Sequence, residues 1–166
     1  MSKFIKISDR RIETFFERLF KSLDEDYHSI ISEQNAVGLL RSGGTVKKTV
    51  RLVEDNAGKL RTYLIEQSSW AIKKSIYVPL SISEDLVALN EKHNHTYIRN
   101  AKKLISKVSI LVGKPDLFEK VYPEVAEAIN LNIKETKLEI KALVLENRST
   151  GIKGAMKYIF SLVSKL

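Results

Sequence analysis

The sequence predicts an all-α protein, a bundle of four to five helices that run mostly up-and-down. Three observations carry that expectation. Apolar residues recur at three- and four-residue intervals over most of the 166 positions, the period of helices that bury one side. Breaks rich in glycine or proline, at Ser42-Gly43-Gly44, Gly113-Lys114-Pro115 and residues 148–151, cut the chain into long segments joined by short loops. Strand signals are confined to residues 4–7 and 76–80, neither with an obvious pairing partner.

The first helix is expected over residues 9–33, capped by Ser8 or Asp9. At about 100° per residue, Ile12, Phe15, Phe16, Leu19, Phe20, Leu23, Tyr27 and Ile30 share one side of it. A packed core is the natural use of that aromatic stripe. A second helix starts at a Thr45 cap and carries Val46, Val50, Val53, Ala57, Leu60 and Leu64 on its apolar side, with Lys47, Lys48, Arg51, Lys59 and Lys73 opposite. Pro79 ends it.

Ser81-Ile82-Ser83-Glu84 reads as a capping box that opens a third helix running to Val112, closed by Gly113-Lys114-Pro115. Residues 116–122 read as a short turn, and Pro123 as the first position of a fourth helix that ends near Asn147. This helix has two apolar stripes: Val125, Ile129, Ile133, Ile140 and Leu143 on one side, and Leu131, Leu138 and Leu145 at heptad spacing on another. A helix apolar on two sides sits in the middle of a bundle or lends one side to a partner; the central position is the commoner. Residues 148–151 read as a loop before a terminal helix whose apolar side is Ile152, Ala155, Met156, Ile159, Phe160 and Val163. The whole chain reads as one helical domain, with residues 150–166 as a loosely packed last helix.

Composition narrows the function classes. A hydrophobic share of 43% against 29% charged residues is that of a globular protein and not of a disordered chain. With no cysteine, disulfides, thiolate metal sites and cysteine nucleophiles are excluded. No secretory signal and no uncharged run of the roughly 20 residues that span a bilayer is visible, so a cytoplasmic location is expected.

Charge gives the main functional lead. The net charge is +8, and the excess is uneven: residues 45–114 carry thirteen Lys and Arg against six Asp and Glu, whereas residues 1–44 carry seven of each. Concentrated positive charge attracts phosphate-rich partners. The first reading is therefore a non-enzymatic protein that binds nucleic acid through phosphate contacts from Lys47, Lys48, Arg51, Lys59, Arg99, Lys102, Lys103 and Lys107, as a homodimer joined by Leu131, Leu138 and Leu145. On helical angles the cations of the third helix wrap it instead of forming one strip. The alternative is a protein-interaction module, an inhibitor, adaptor or phage accessory factor, acting through its apolar stripes.

A third reading is an enzyme built around the third helix, whose apolar side is interrupted by Asn90, His93, Tyr97 and Asn100. Polar groups on a core-facing side form either an internal network or a pocket lining, and His93 would be the titrating group of such a pocket. His93 and His95 point to nearly opposite sides and cannot share a metal ion. The stretch from Gly38 to Thr45 has P-loop spacing but Gly44 stands where the lysine is needed, and no strand precedes it, so nucleotide hydrolysis is rejected. No cofactor and no metal is expected. A weaker fourth reading lays the basic amphipathic end, residues 152–166, on a membrane surface.

Overall fold

The computed structural model describes residues 3–75, 78–79 and 81–163, with side chains as far as residue 149. Four helices account for nearly all of it: α1 (Lys3–Ala36), α2 (Gly43–Lys74), α3 (Ser81–Leu111) and α4 (Leu117–Val163).

α1 begins six residues earlier than the cap signal at Ser8 and Asp9 implied, because the apolar period extends upstream through Ile5. Residues 4–7 are thus helical and not a strand. Ser8 and Asp9 lie inside the helix, where the Ser8 hydroxyl donates to the Gln67 carbonyl oxygen at 3.1 Å. The other strand signal, at residues 76–80, falls largely outside the described residues.

Two glycines in the left-handed region terminate helices in the same way. Gly38 (φ 70°) and Gly113 (φ 75°) follow the ends of α1 and α3. In each case the next amide donates back five residues, Leu39 to Gln34 at 2.8 Å and Lys114 to Ser109 at 3.0 Å. These are Schellman caps, which need a residue free of the Cβ clash at positive φ. The break after α1 is therefore set at Gly38, and Gly43 and Gly44 already belong to α2. Thr45, expected as a cap, is buried as the third residue of α2, its one hydroxyl proton shared between the carbonyls of Leu39 and Leu40, each 3.0 Å away. α2 ends at Lys74, short of Pro79.

α4 differs most from expectation. It is one helix of 47 residues, so Pro123 lies inside it and residues 148–151 continue it instead of forming a loop. Phe118 stacks on Tyr122 one turn away at 5.1 Å, and both pack on the core, holding the helix across the amide that proline lacks. At its far end the Asn147 amide donates to the Leu143 carbonyl at 3.2 Å and the Ser149 hydroxyl to the Glu146 carbonyl at 3.2 Å, and a single Gly151 costs only about 1 kcal/mol relative to alanine. The expected separate helix over 150–166 is, through Val163, the end of α4; the packing of its side chains lies outside the described residues.

Contacts fix the topology. Phe15 of α1 stacks on Tyr63 of α2 at 4.1 Å while Glu33 reaches Lys48 at 3.5 Å, so the two helices are antiparallel. α3 returns antiparallel to α2, with Asn90 against Ser68 and Tyr97 against Val53. α4 descends antiparallel to α3, with Phe118 and Tyr122 near Lys102 and Lys137 near Glu91. The order is up-down-up-down. Among the described residues the backbones of α1 and α4 do not approach one another closely, whereas α2 and α3 each meet every other helix. The centre of the bundle is therefore the α2–α3 pair, and α4 lies on its outside, against the expectation of a central fourth helix. Core residues Leu60, Leu64, Leu86, Ile105, Ile129 and Ile140 fill the space between α2, α3 and α4, and Ile5, Ile12 and Phe16 seal α1 on the other side.

Candidate interaction surfaces

The polar side of α3 turns inward. His93, with 6% of its side chain exposed, sits under α1, its Nε2 at 2.8 Å from Asp9 Oδ1. An ionised carboxylate only accepts, so Nε2 carries the proton and donates it. Burial pushes the His93 pKa below its ordinary 6.5, outweighing the nearby Asp9 carboxylate that favours the charged form. For Asp9 burial is the largest single influence and raises the pKa, yet hydrogen bonds from His93 and Lys92, with their charges, together hold it below 3.8. Lys92 spans Asp9 at 3.1 Å and Glu13 at 3.3 Å at the rim of this contact. Phe16 packs on the imidazole at 5.4 Å.

The four residues expected to line a pocket do not converge. The Asn90 amide donates to Ser68 Oγ at 3.1 Å and to the Leu86 carbonyl at 2.7 Å, facing α2. The Tyr97 hydroxyl donates to the Val53 carbonyl at 2.5 Å, also on α2, and burial raises its pKa well above the usual range for a phenol. His93 faces α1, and half-buried Asn100 only bonds back to the Thr96 carbonyl at 3.0 Å. His93, Asn90 and Tyr97 each bond a different residue on a neighbouring helix, which is the geometry of a helix-fastening network. The Asn90 and Gln67 side-chain oxygens find no protein partner within it.

Asp9 is the partner of His93 that the sequence alone did not identify. The signal was present: Asp9 stands seven residues before Phe16, on the apolar side of α1, where an acid needs a buried donor.

The eight expected cations are all exposed, but they do not form one surface. α2 and α3 meet through Val53 and Tyr97, and on helical angles Arg51 and Lys59 lie roughly 120–160° from Val53, as Arg99 and Lys103 do from Tyr97. The α2 and α3 sets therefore point away from each other. Within α3 they divide again: Lys107 lies over the Tyr27 ring of α1 at 4.8 Å, and Lys102 over Phe118 and Tyr122 of α4 at 5.9 and 5.5 Å. Lys48 pairs with Glu33 at 3.5 Å; Lys47, Arg51, Lys59, Arg99 and Lys103 face solvent.

The outer side of α4 is the opposite case. Leu131, Leu138 and Leu145 are 56%, 68% and 61% exposed, whereas Ile129, Ile140 and Val144 on the inner side are buried. The three leucines repeat every seven residues, so they lie in one line along the helix. Ala128 and Ala142 beside them are also exposed. Lone exposed leucines are ordinary; an aligned row of three on a helix whose opposite side already fills the core is an apolar stripe open to solvent.

Among the described residues no three His, Asp or Glu side chains gather to hold a metal ion, and no helix is long and apolar enough to cross a membrane. No protein-family model, curated protein or solved structure matches the chain.

Proposed function

We propose that this protein is a helical interaction module that docks another protein helix on the outer side of α4. The observation that carries the reading is the exposed row of Leu131, Leu138 and Leu145 on a helix that buries its opposite side. Helix-in-groove and helix-on-helix recognition use such rows as anchors, because burying each leucine removes apolar area from water at a defined spacing. The inward polar network around His93 serves this function indirectly by fixing α3 to α1 and α2, on which α4 rests.

A photo-crosslinking amino acid at position 138 tests the reading in the producing cells, with the same probe at exposed Arg51 as control. A discrete adduct from position 138 and none from position 51 is expected. No adduct from 138, or the same diffuse pattern from both positions, would reject it.

A second reading, nucleic-acid binding, is favoured by the exposed Arg99 and Lys103 in a stretch of α3 that has no acid between Glu91 and Asp116. Its contact would come from one helix face, since the α2 cations point elsewhere. Phosphate-driven binding would weaken steeply between 50 and 200 mM salt, by orders of magnitude for several contacts. Fluorescence anisotropy with duplex RNA and duplex DNA measures this, and no binding at the lower salt would dismiss it.

A further inference from the structure

We infer that the helix covering the outer side of α4 is α4 of a second copy of this chain, lying parallel and in register about a twofold axis. This rests on the reading of that side as a docking face and adds the identity and direction of the partner. The first support is the period. A row repeating every seven residues matches the seam of two wound helices, with Leu131, Leu138 and Leu145 in one core position and Ala128, Glu135, Ala142 and Ser149 in the other. Glu135 is drawn off this seam by Arg61 of α2, at 2.6 Å.

The second support is continuity. α4 stays helical to Val163, and Ile152 and Ile159 prolong the leucine spacing in sequence, with Met156 and Val163 in the accompanying position. The leucine spacing thus recurs at five positions in sequence, from Leu131 to Ile159, along one unbroken helix.

Charge gives the third support and the direction. Lys134, Lys141 and Arg148 flank the row on one side, Glu139 and Glu146 on the other. In a parallel pair each flank of one helix faces the opposite flank of its mate, one heptad along, which sets Lys134 against Glu139 and Lys141 against Glu146. Reversing one helix would place cations against cations and acids against acids. The next step, Arg148 against Lys153, is like-charged, so the favourable pairing is concentrated over two heptads. Glu139 also reaches Arg61 at 3.6 Å and would be shared between that contact and the mate. A foreign helix has no need of two complementary flanks on one chain; a second copy does.

Sedimentation equilibrium of the full chain and of Leu138→Glu, with oxidative crosslinking of Ala128→Cys and Ala142→Cys, tests the inference. The natural sequence has no cysteine, so each variant reports one position. Expected are a mass of twice 18.9 kDa for the native chain, at least tenfold weaker association for Leu138→Glu with unchanged helical circular dichroism, and disulfide-linked dimers from both cysteine variants. A dimer that Leu138→Glu disrupts but that crosslinks at no more than one position would overturn the parallel arrangement and leave the docking face standing. A native chain that is monomeric at every concentration would overturn self-association, and the adduct from position 138 would then decide the docking face separately.

Discussion

Helices α3 and α4 each carry a side that runs against its surroundings, and the two are resolved in opposite ways. On α3 polar residues point into the bundle, and three of them are taken up by neighbouring helices: His93 by Asp9, the Asn90 amide by Ser68, Tyr97 by the Val53 carbonyl. On α4 apolar residues point out of it, and none of the three leucines is covered. An inward polar group must be satisfied within the fold or the fold loses several kcal/mol. An outward apolar row carries no such demand, because it leaves no polar group unpaired inside the fold. The difference teaches where the fold is self-sufficient: the polar side of α3 is largely bonded within the bundle, whereas the apolar side of α4 is left open by it.

Substitutions on the two sides of α4 should separate most widely. Ile140→Ala, on the inner side, removes a fully buried side chain and is expected to cost about 2–5 kcal/mol in urea unfolding of the dilute protein. Leu138→Ala, two residues away on the outer side, should change the same dilute-solution stability by less than about 0.5 kcal/mol. Equal losses would erase the distinction between the two faces.

The α3 network should show an intermediate effect with a pH signature. Asp9→Ala strands the buried His93 donor and is expected to cost about 1–3 kcal/mol at neutral pH. Both groups have folded pKa values below their ordinary ones, so in each case the unfolded chain takes up its proton first as the pH falls. Stability should decline in two windows on acidification, one beginning near pH 6.5 from His93 and one near pH 3.8 from Asp9. His93→Gln should flatten the upper window and leave the lower; an unchanged upper window would show that His93 is not its source. The smallest effect in the network is expected for Tyr97→Phe, which loses one hydrogen bond to Val53 and retains the ring, about 0.5–1.5 kcal/mol by thermal unfolding.

Much of this was legible in residue order. The three- and four-residue apolar period placed all four helices, because each long segment has one side that must be buried. Boundaries were less legible where a local signal met a longer pattern. Ser8 and Asp9 look like caps, but Ile5 continues the stripe and carries α1 past them. Residues 148–151 look like a loop, but one glycine and a serine are weak breakers within a helix already anchored upstream. Gly38, which ends α1, has no sequence mark that separates it from Gly43 and Gly44; only the positive φ required by its cap does. The network on α3 could be suspected but not closed, since the partner of His93 lies 84 residues away on α1. Nor could the two apolar stripes of α4 be ranked, because helical angles give their separation and not which of them meets α2 and α3.

The most direct test of the account is the thermal midpoint of the native chain measured over a hundredfold range of protein concentration beside that of Leu138→Glu. Association of folded chains through the outer side of α4 predicts a midpoint that rises with concentration in the native protein and stays constant in the variant. A native midpoint independent of concentration, or one that rises equally in Leu138→Glu, would contradict it.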